Sequence, residues 1–193
     1  MLKARTVVIK RKGDSEVLTR GVLGAFEAGV LDPHRQVRRH VGLAHTRWAT
    51  HGDVCDENAH PQSSDEGNQF VVVHNGTIEN HRELRQIIQT SIGEPRIILR
   101  TDTDTEVVAA LALFIWRGSD GKMGFRELVE TVVAHLEGAY ALAFKSAHYP
   151  GECVVACCGS PLILGTALSQ TFTWLSYFEQ VRRVVQQNFT HEI

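Results

Sequence analysis

A chain of 193 residues, 43% hydrophobic and 22% charged, is long enough to bury one sizeable core and ordinary for a globular domain. Its net charge of −2 gives no overall attraction to nucleic acid or to a membrane surface, and no apolar run approaches the length of a membrane span. The four cysteines (Cys55, Cys153, Cys157, Cys158) have no CxxC spacing and no signal peptide precedes them, so a cytoplasmic chain is expected.

In chain order, Thr6 to Ile9 is a β-branched run before the turn-like Lys12-Gly13-Asp14 and reads as a strand. Asp14 or Ser15 then caps a helix carrying Val17, Leu18, Val22, Leu23 and Phe26 on one side and stopped at Gly29. The basic residues bunched at Lys3, Arg5, Lys10, Arg11 and Lys12, and again at Arg35, Arg38 and Arg39, lack interleaved aromatics and read as solvated faces. A polar connector over 31–40 leads to a strand at 41–46. The loop over 47–69 is long enough to be functional or mobile. A second strand opens with Phe70-Val71-Val72-Val73. After it, Asn80 and Glu83 make a capping box for a helix with Leu84, Ile87 and Ile88 at helical spacing.

Arg96 to Leu99 reads as a short strand. Thr101 to Asp104 leads into a helix over 106–116 ended by Gly118, with an aspartate as the expected cap. A further helix, Phe125 to Leu136, packs on Leu128, Val129, Val132 and Leu136 and is closed by Gly138. Strands recur at 139–145, 153–157 and 162–164. In the tail, Tyr177, Phe178, Val181, Val184, Val185 and Phe189 have helical spacing, which predicts a terminal amphipathic helix. Strands, then helices, then strands again give the α+β class.

The chemistry concentrates at 41–80, which holds four of the ten histidines (His45, His51, His60, His74). Two apolar runs there, 41–44 and 70–73, each stop at a polar cluster, and side chains delivered at strand ends are where sites are usually built. Arg47 carries a planar fork of donors suited to a carboxylate, and Trp48 beside it can wall a site from water. Thr50 and His51 add a hydroxyl and an imidazole. Asn75-Gly76 sets a side-chain amide next to an unshielded backbone N–H, the donor pair an oxyanion needs. On residue types alone the simpler reading is favoured: a turn at Asn75-Gly76 and histidines that cap strands. The histidine spacings match no zinc pattern, and no GxGxxG or Walker loop is present, so neither a metal nor a nucleotide cofactor is expected.

Five segments change that balance: HTRWATHG (45–52), NAHPQSSD (58–65), VVVHNGTIEN (71–80), TDTEVV (103–108) and LEGAYALAFKS (136–146). In this order they resemble the glutaminase domain of the glutamine–fructose-6-phosphate aminotransferases, class II glutamine amidotransferases of the N-terminal-nucleophile hydrolase type. The turn His148-Tyr149-Pro150-Gly151 and the GSPL at 159–162 look more like eukaryotic members. The resemblance runs from about Lys3 to Gly165 and leaves 166–193 as a divergent tail. It implies the αββα four-layer sandwich, here without its first strand and helix. It also implies roles: Arg47 on the glutamine α-carboxylate with Thr50 and His51 beside it, Asn75 and Gly76 as oxyanion hole, and Asp104 on the α-amine. His60 and Trp48 fall near the pocket and its mouth.

The family attacks the glutamine amide with a cysteine that is the first residue of the mature chain, its own amine acting as base. Here the chain opens Met1-Leu2-Lys3, and Cys55 has no evident base beside it. The expectation is therefore an incomplete glutaminase domain that binds glutamine and is inactive alone. The alternative is a non-catalytic glutamine-binding or regulatory partner that docks on the full-length aminotransferase.

Overall fold

The computed structural model describes residues 6–32, 34, 41–46, 53–91, 96–168, 171–177 and 183–188. The first helix, α1 (Ser15–Glu27), starts where Asp14 Oδ1 accepts the N–H groups of Glu16 and Val17, both at 3.0 Å. A two-residue strand β1 (Gln62–Ser63) precedes β2 (Phe70–Ile78), and three helices follow: α2 (His81–Thr90), α3 (Asp104–Gly118) and α4 (Phe125–Ala134). The chain then returns to the sheet with β3 (Gly138–Ser146) and β4 (Glu152–Cys158). It continues through β5 (Leu162–Leu168), β6 (Thr171–Tyr177) and β7 (Arg183–Asn188). The architecture is α+β, the class that the order of elements predicts.

One antiparallel sheet of order β1-β2-β3-β4-β7 organises the fold, while β5 and β6 pair separately. Period two decides which side chains of the sheet face the helices. Phe70, Val72 and Ile78 of β2, Leu142 and Phe144 of β3, and Val154 and Ala156 of β4 form one buried cluster with the helices. That cluster takes Val107 to Leu113 from α3, Leu128, Val129 and Val132 from α4, and Leu84 and Ile88 from α2. Helix α3 packs on β2 and lies between α2 and α4. Its first ten residues are all buried, so it is apolar nearly all round rather than striped.

The β3–β4 turn is fastened onto the helices by its own aromatics. His148 stacks on Trp116 at 3.8 Å, and Tyr149 stacks on Phe125 at 4.7 Å while donating its hydroxyl to Met123 O at 2.6 Å.

Several expectations are corrected. Residues 6–9, 41–46 and 96–99 are not strands; each run is too short to fix a register without a neighbour, and none is found for it among the described residues. The described parts of 166–193 are strands, not an amphipathic helix. Val184 and Val185 sit opposite Ala156 and Val155 of β4, so β-branched content and a free sheet edge outweigh helical spacing. The capping box at Asn80 and Glu83 is not formed. Asn80 instead donates to His135 O at 2.8 Å and accepts from Glu137 N at 3.1 Å, tying the start of α2 to the α4–β3 turn.

The cap of α3 is Thr103, whose hydroxyl accepts from Glu106 N at 3.3 Å, rather than an aspartate. Thr103→Ala is expected to cost about 1 kcal/mol, read as a lowered midpoint in denaturant with an unchanged slope.

Candidate functional site

Strand β2 has two edges. Along one it pairs with β3 through its whole length, from Phe70↔Ser146 to Ile78↔Gly138. Along the other, β1 covers only Val71 and Val72, so the stretch from His74 to Ile78 faces no strand among the described residues. At the two ends of β2, Phe70 N–H donates to Ser64 Oγ and Ile78 N–H to Asp104 Oδ2, both on this second edge. N–H direction alternates along a strand, so the even positions between them, Gly76 included, aim at the same edge.

Gly76 has φ +121°, and a Cβ there would lie 2.1 Å from Ala139 O. Only glycine combines that conformation with that approach to β3. Odd positions of β2 face away from the helices, which puts the exposed Asn75 side chain on the opposite side of the sheet from buried His74.

A chain of side-chain contacts wraps around this open edge from one face to the other. His45 Nε2 lies 2.7 Å from Asn75 Oδ1, and His45 Nδ1 lies 3.1 Å from His60 Nδ1. His60 Nε2 is 3.0 Å from Thr105 Oγ1 in the first turn of α3. Thr105 Oγ1 is 3.0 Å from His74 Nδ1 and 3.2 Å from Asp104 Oδ1. His45 and His60 engage each other, His60 and His74 share one threonine, and no cluster of His, Cys, Asp and Glu among the described residues is arranged to hold a metal ion.

Asp104 is 8% exposed and remains charged. Burial acts against its ionisation, but the bond and charge of His74, the Ile78 N–H and the Thr105 hydroxyl outweigh that and hold the carboxyl well below the usual carboxylate range. Asp65 is also lowered, burial being outweighed by Gln69 through its side chain and backbone, then by Ser64 and Gly67 N–H. A depressed carboxyl pKa contributes stability above its unfolded value of about 4 and loses it as pH falls toward the folded one. The stability these two groups contribute is therefore expected to be full and independent of pH near neutrality and to be lost below about pH 4, as denaturant midpoints will read.

Glu106 anchors the base of the site. Its two oxygens accept from the N–H groups of Arg100 and Thr101, both at 2.8 Å, and a cavity of about 250 Å³ opens beside it toward Lys10 and Gln62. The four cysteines are free thiols. Burial pushes Cys153 up to about 11, with Lys145 pulling the other way, and Cys157 is buried further along the same strand, β4. Alkylation near pH 8 should mark the partly exposed Cys55 and Cys158 well before Cys153 and Cys157, as peptide mapping will read.

Of the residues expected at the site, Asn75, His60 and Asp104 fall within one contact network, with Gly76 next to Asn75 on the same open edge. Arg47, Trp48, Thr50 and His51 lie outside the described residues. The sequence reading passed over Thr105 and Glu106 as members of a helix start, and over His45 and His74 as strand caps. Their presence in the same quoted segments as Asp104 and Asn75 was the available signal.

Comparison with known proteins identifies the family. The family described as "Glutamine amidotransferase domain" matches residues 45–155. The chain is 41% identical over 159 residues to glutamine–fructose-6-phosphate aminotransferase [isomerizing] 2 of Bos taurus, covering 82% of this chain and 22% of that protein. It is 47% identical over 131 residues to the probable glutamine–fructose-6-phosphate aminotransferase of Schizosaccharomyces pombe, covering 68% of this chain and 18% of that protein. The chain thus spans about a fifth of the length of these relatives. Its fold is shared with a solved structure titled "Structure of the allosteric regulatory enzyme of purine biosynthesis", at TM-score 0.53 and 24% identity over 77% of this chain and 35% of that one.

Proposed function

The chain belongs to the glutamine amidotransferase family, and from that premise we propose that it is the glutamine-holding part of an aminotransferase that makes glucosamine 6-phosphate and glutamate from fructose 6-phosphate and glutamine. The observation that carries this reading is the open edge of β2. There a carboxylate that stays ionised, Asp104, shares an edge with the amide and N–H donors of Asn75 and Gly76. A free amino acid with a side-chain amide has complementary ends, a cationic α-amine and a carbonyl that gains negative charge on attack.

In this reading Asp104 receives the α-ammonium. Its oxygens accept from Ile78 N–H and the Thr105 hydroxyl and, with two lone pairs each, retain further acceptor capacity. Asn75 and Gly76 donate to the oxygen of the side-chain amide. Removing one such donor costs about 3–4 kcal/mol of transition-state stabilisation where the reaction has been measured. Arg47 takes the α-carboxylate, Thr50 and His51 stand beside it, and Trp48 and His60 border the pocket, as the family resemblance implies. Free thiols and the family suit a cytoplasmic setting.

Calorimetric titration tests the reading. Glutamine should give saturable heat and fructose 6-phosphate none. Heat from the sugar phosphate alone, or none from glutamine, contradicts the assignment.

A further inference from the structure

Asp104 and Glu106 both stand in the first turn of α3, two positions apart, and so point about 200° from each other around the helix. Asp104 is turned to the open edge of β2, where it accepts from Ile78 N–H and the Thr105 hydroxyl. Glu106 is turned back onto the residues that lead into the helix. Its Oε1 accepts from Arg100 N–H and its Oε2 from Thr101 N–H, and Oε2 also takes the Thr101 hydroxyl at 3.0 Å. The Thr101 hydrogen is thereby spent, so in the 2.8 Å contact between the two hydroxyls Thr103 is the donor. Thr103 Oγ1 in turn accepts from Glu106 N–H. Glu106 thus closes a ring of hydrogen bonds, with its side chain at one end and its backbone at the other. From α2, Arg85 Nη2 donates to Thr101 O at 2.7 Å and lies 3.9 Å from Glu106 Oε2, holding the same turn from its other side.

Capping alone does not call for this arrangement. A glutamate three residues after a threonine cap ordinarily returns to the backbone N–H of the cap itself. Here Thr101 Oγ1 takes that N–H, at 3.3 Å, and Glu106 reaches past it to the two N–H groups further back. Thr101, Thr103 and Glu106 are all buried, so the ring is shielded from water.

We propose that Glu106 is a positioning residue, which by clamping residues 100–103 fixes the direction in which Asp104 meets the α-ammonium of glutamine. This rests on the reading of Asp104 as the acceptor of that ammonium. Asp104 is the first residue of α3, so a shift of the lead-in carries its carboxylate along the edge of β2. Charge-assisted hydrogen bonds depend on such placement.

Glutamine and glutaramate, which is glutamine without its α-amine, separate positioning from a general loss of structure, since only glutamine engages Asp104. Both affinities are measured by calorimetric competition for the wild type, Glu106→Gln and Arg85→Met. The preference for glutamine should shrink roughly tenfold in Glu106→Gln, with glutaramate little affected. Arg85→Met leaves the bonds of Glu106 to residues 100 and 101 in place, and should shrink the preference less. Equal weakening of both ligands in Glu106→Gln, or an unchanged preference, overturns the proposal. If that variant does not fold, the same readings on Arg85→Met decide.

Amide exchange without ligand is the second arm. Ile78 N–H, which donates to Asp104 Oδ2, should lose protection in Glu106→Gln while Val132 in α4 keeps its own. Unchanged exchange at Ile78, or equal losses at both amides, also overturns the proposal. A wild type with no preference for glutamine over glutaramate brings down the reading of Asp104 itself, a failure visible before any variant is made.

Discussion

Gly76→Ala is expected to destabilise the fold by roughly 2–5 kcal/mol, the combined scale of a strained backbone and of overpacking. The added Cβ would sit 2.1 Å from Ala139 O and 2.9 Å from Tyr140 Cα, both backbone atoms that cannot swing aside as a side-chain tip can. Its φ of +121° is closed to alanine besides. Relief requires β2 and β3 to separate where Gly76 faces Tyr140, next to buried Tyr140 and Leu142 of the core. Denaturant unfolding should show a large fall in midpoint, and the amides around Gly76 and Tyr140 should lose exchange protection first. Gly118→Ala is the control. No atom lies within 4 Å of its added Cβ, and it should be nearly neutral or slightly stabilising. Equal stability of Gly76→Ala and wild type would mean that the approach of β3 to Gly76 is not as described.

Substitution at Asp104 separates structure from binding. Asp104→Ala leaves the buried Ile78 N–H without its acceptor and removes the carboxylate beside Thr105 and His74, a loss expected to cost about 2–4 kcal/mol. Asp104→Asn keeps an oxygen for Ile78 N–H while losing the charge, so its cost in stability should be smaller. Its effect on glutamine should not be smaller. An α-ammonium without a counter-charge in a site this buried is expected to cost at least about 3 kcal/mol, or more than a hundredfold in affinity. Calorimetry on both variants, with unfolding curves alongside, checks the split. If Asp104→Asn binds glutamine as the wild type does, Asp104 is a structural anchor and nothing more.

The elements with strong internal signals were legible in the sequence. Helix α4 has its apolar spacing at Leu128, Val129 and Val132, and β3 and β4 are bounded by turn residues. The elements that depend on distant partners were not. The strand β7 is defined by the free edge of β4, which a local reading of Val184 and Val185 cannot see. The side chain of Asn80 meets His135 and Glu137, more than fifty positions away, and so forsakes the local cap. At the site, motifs singled out Asn75, Gly76, His60 and Asp104. The contacts between them run through His45 and Thr105, which look like a strand cap and a helix-start residue until the edge of β2 brings them together. Spacing identifies groups on one element. It does not identify a path that passes around a sheet.

Glutamine bound at the open edge of β2 is expected to place its amide oxygen on Asn75 and Gly76. The most direct measurement is a glutamine titration of the isotopically labelled chain, followed at the Gly76 backbone amide and the Asn75 side-chain NH2. Both resonances should move together and saturate at one affinity, and a glutamine analogue lacking the α-amine should move them only at far higher concentration. Saturable glutamine binding that leaves both resonances in place would mean that glutamine does not sit at this edge.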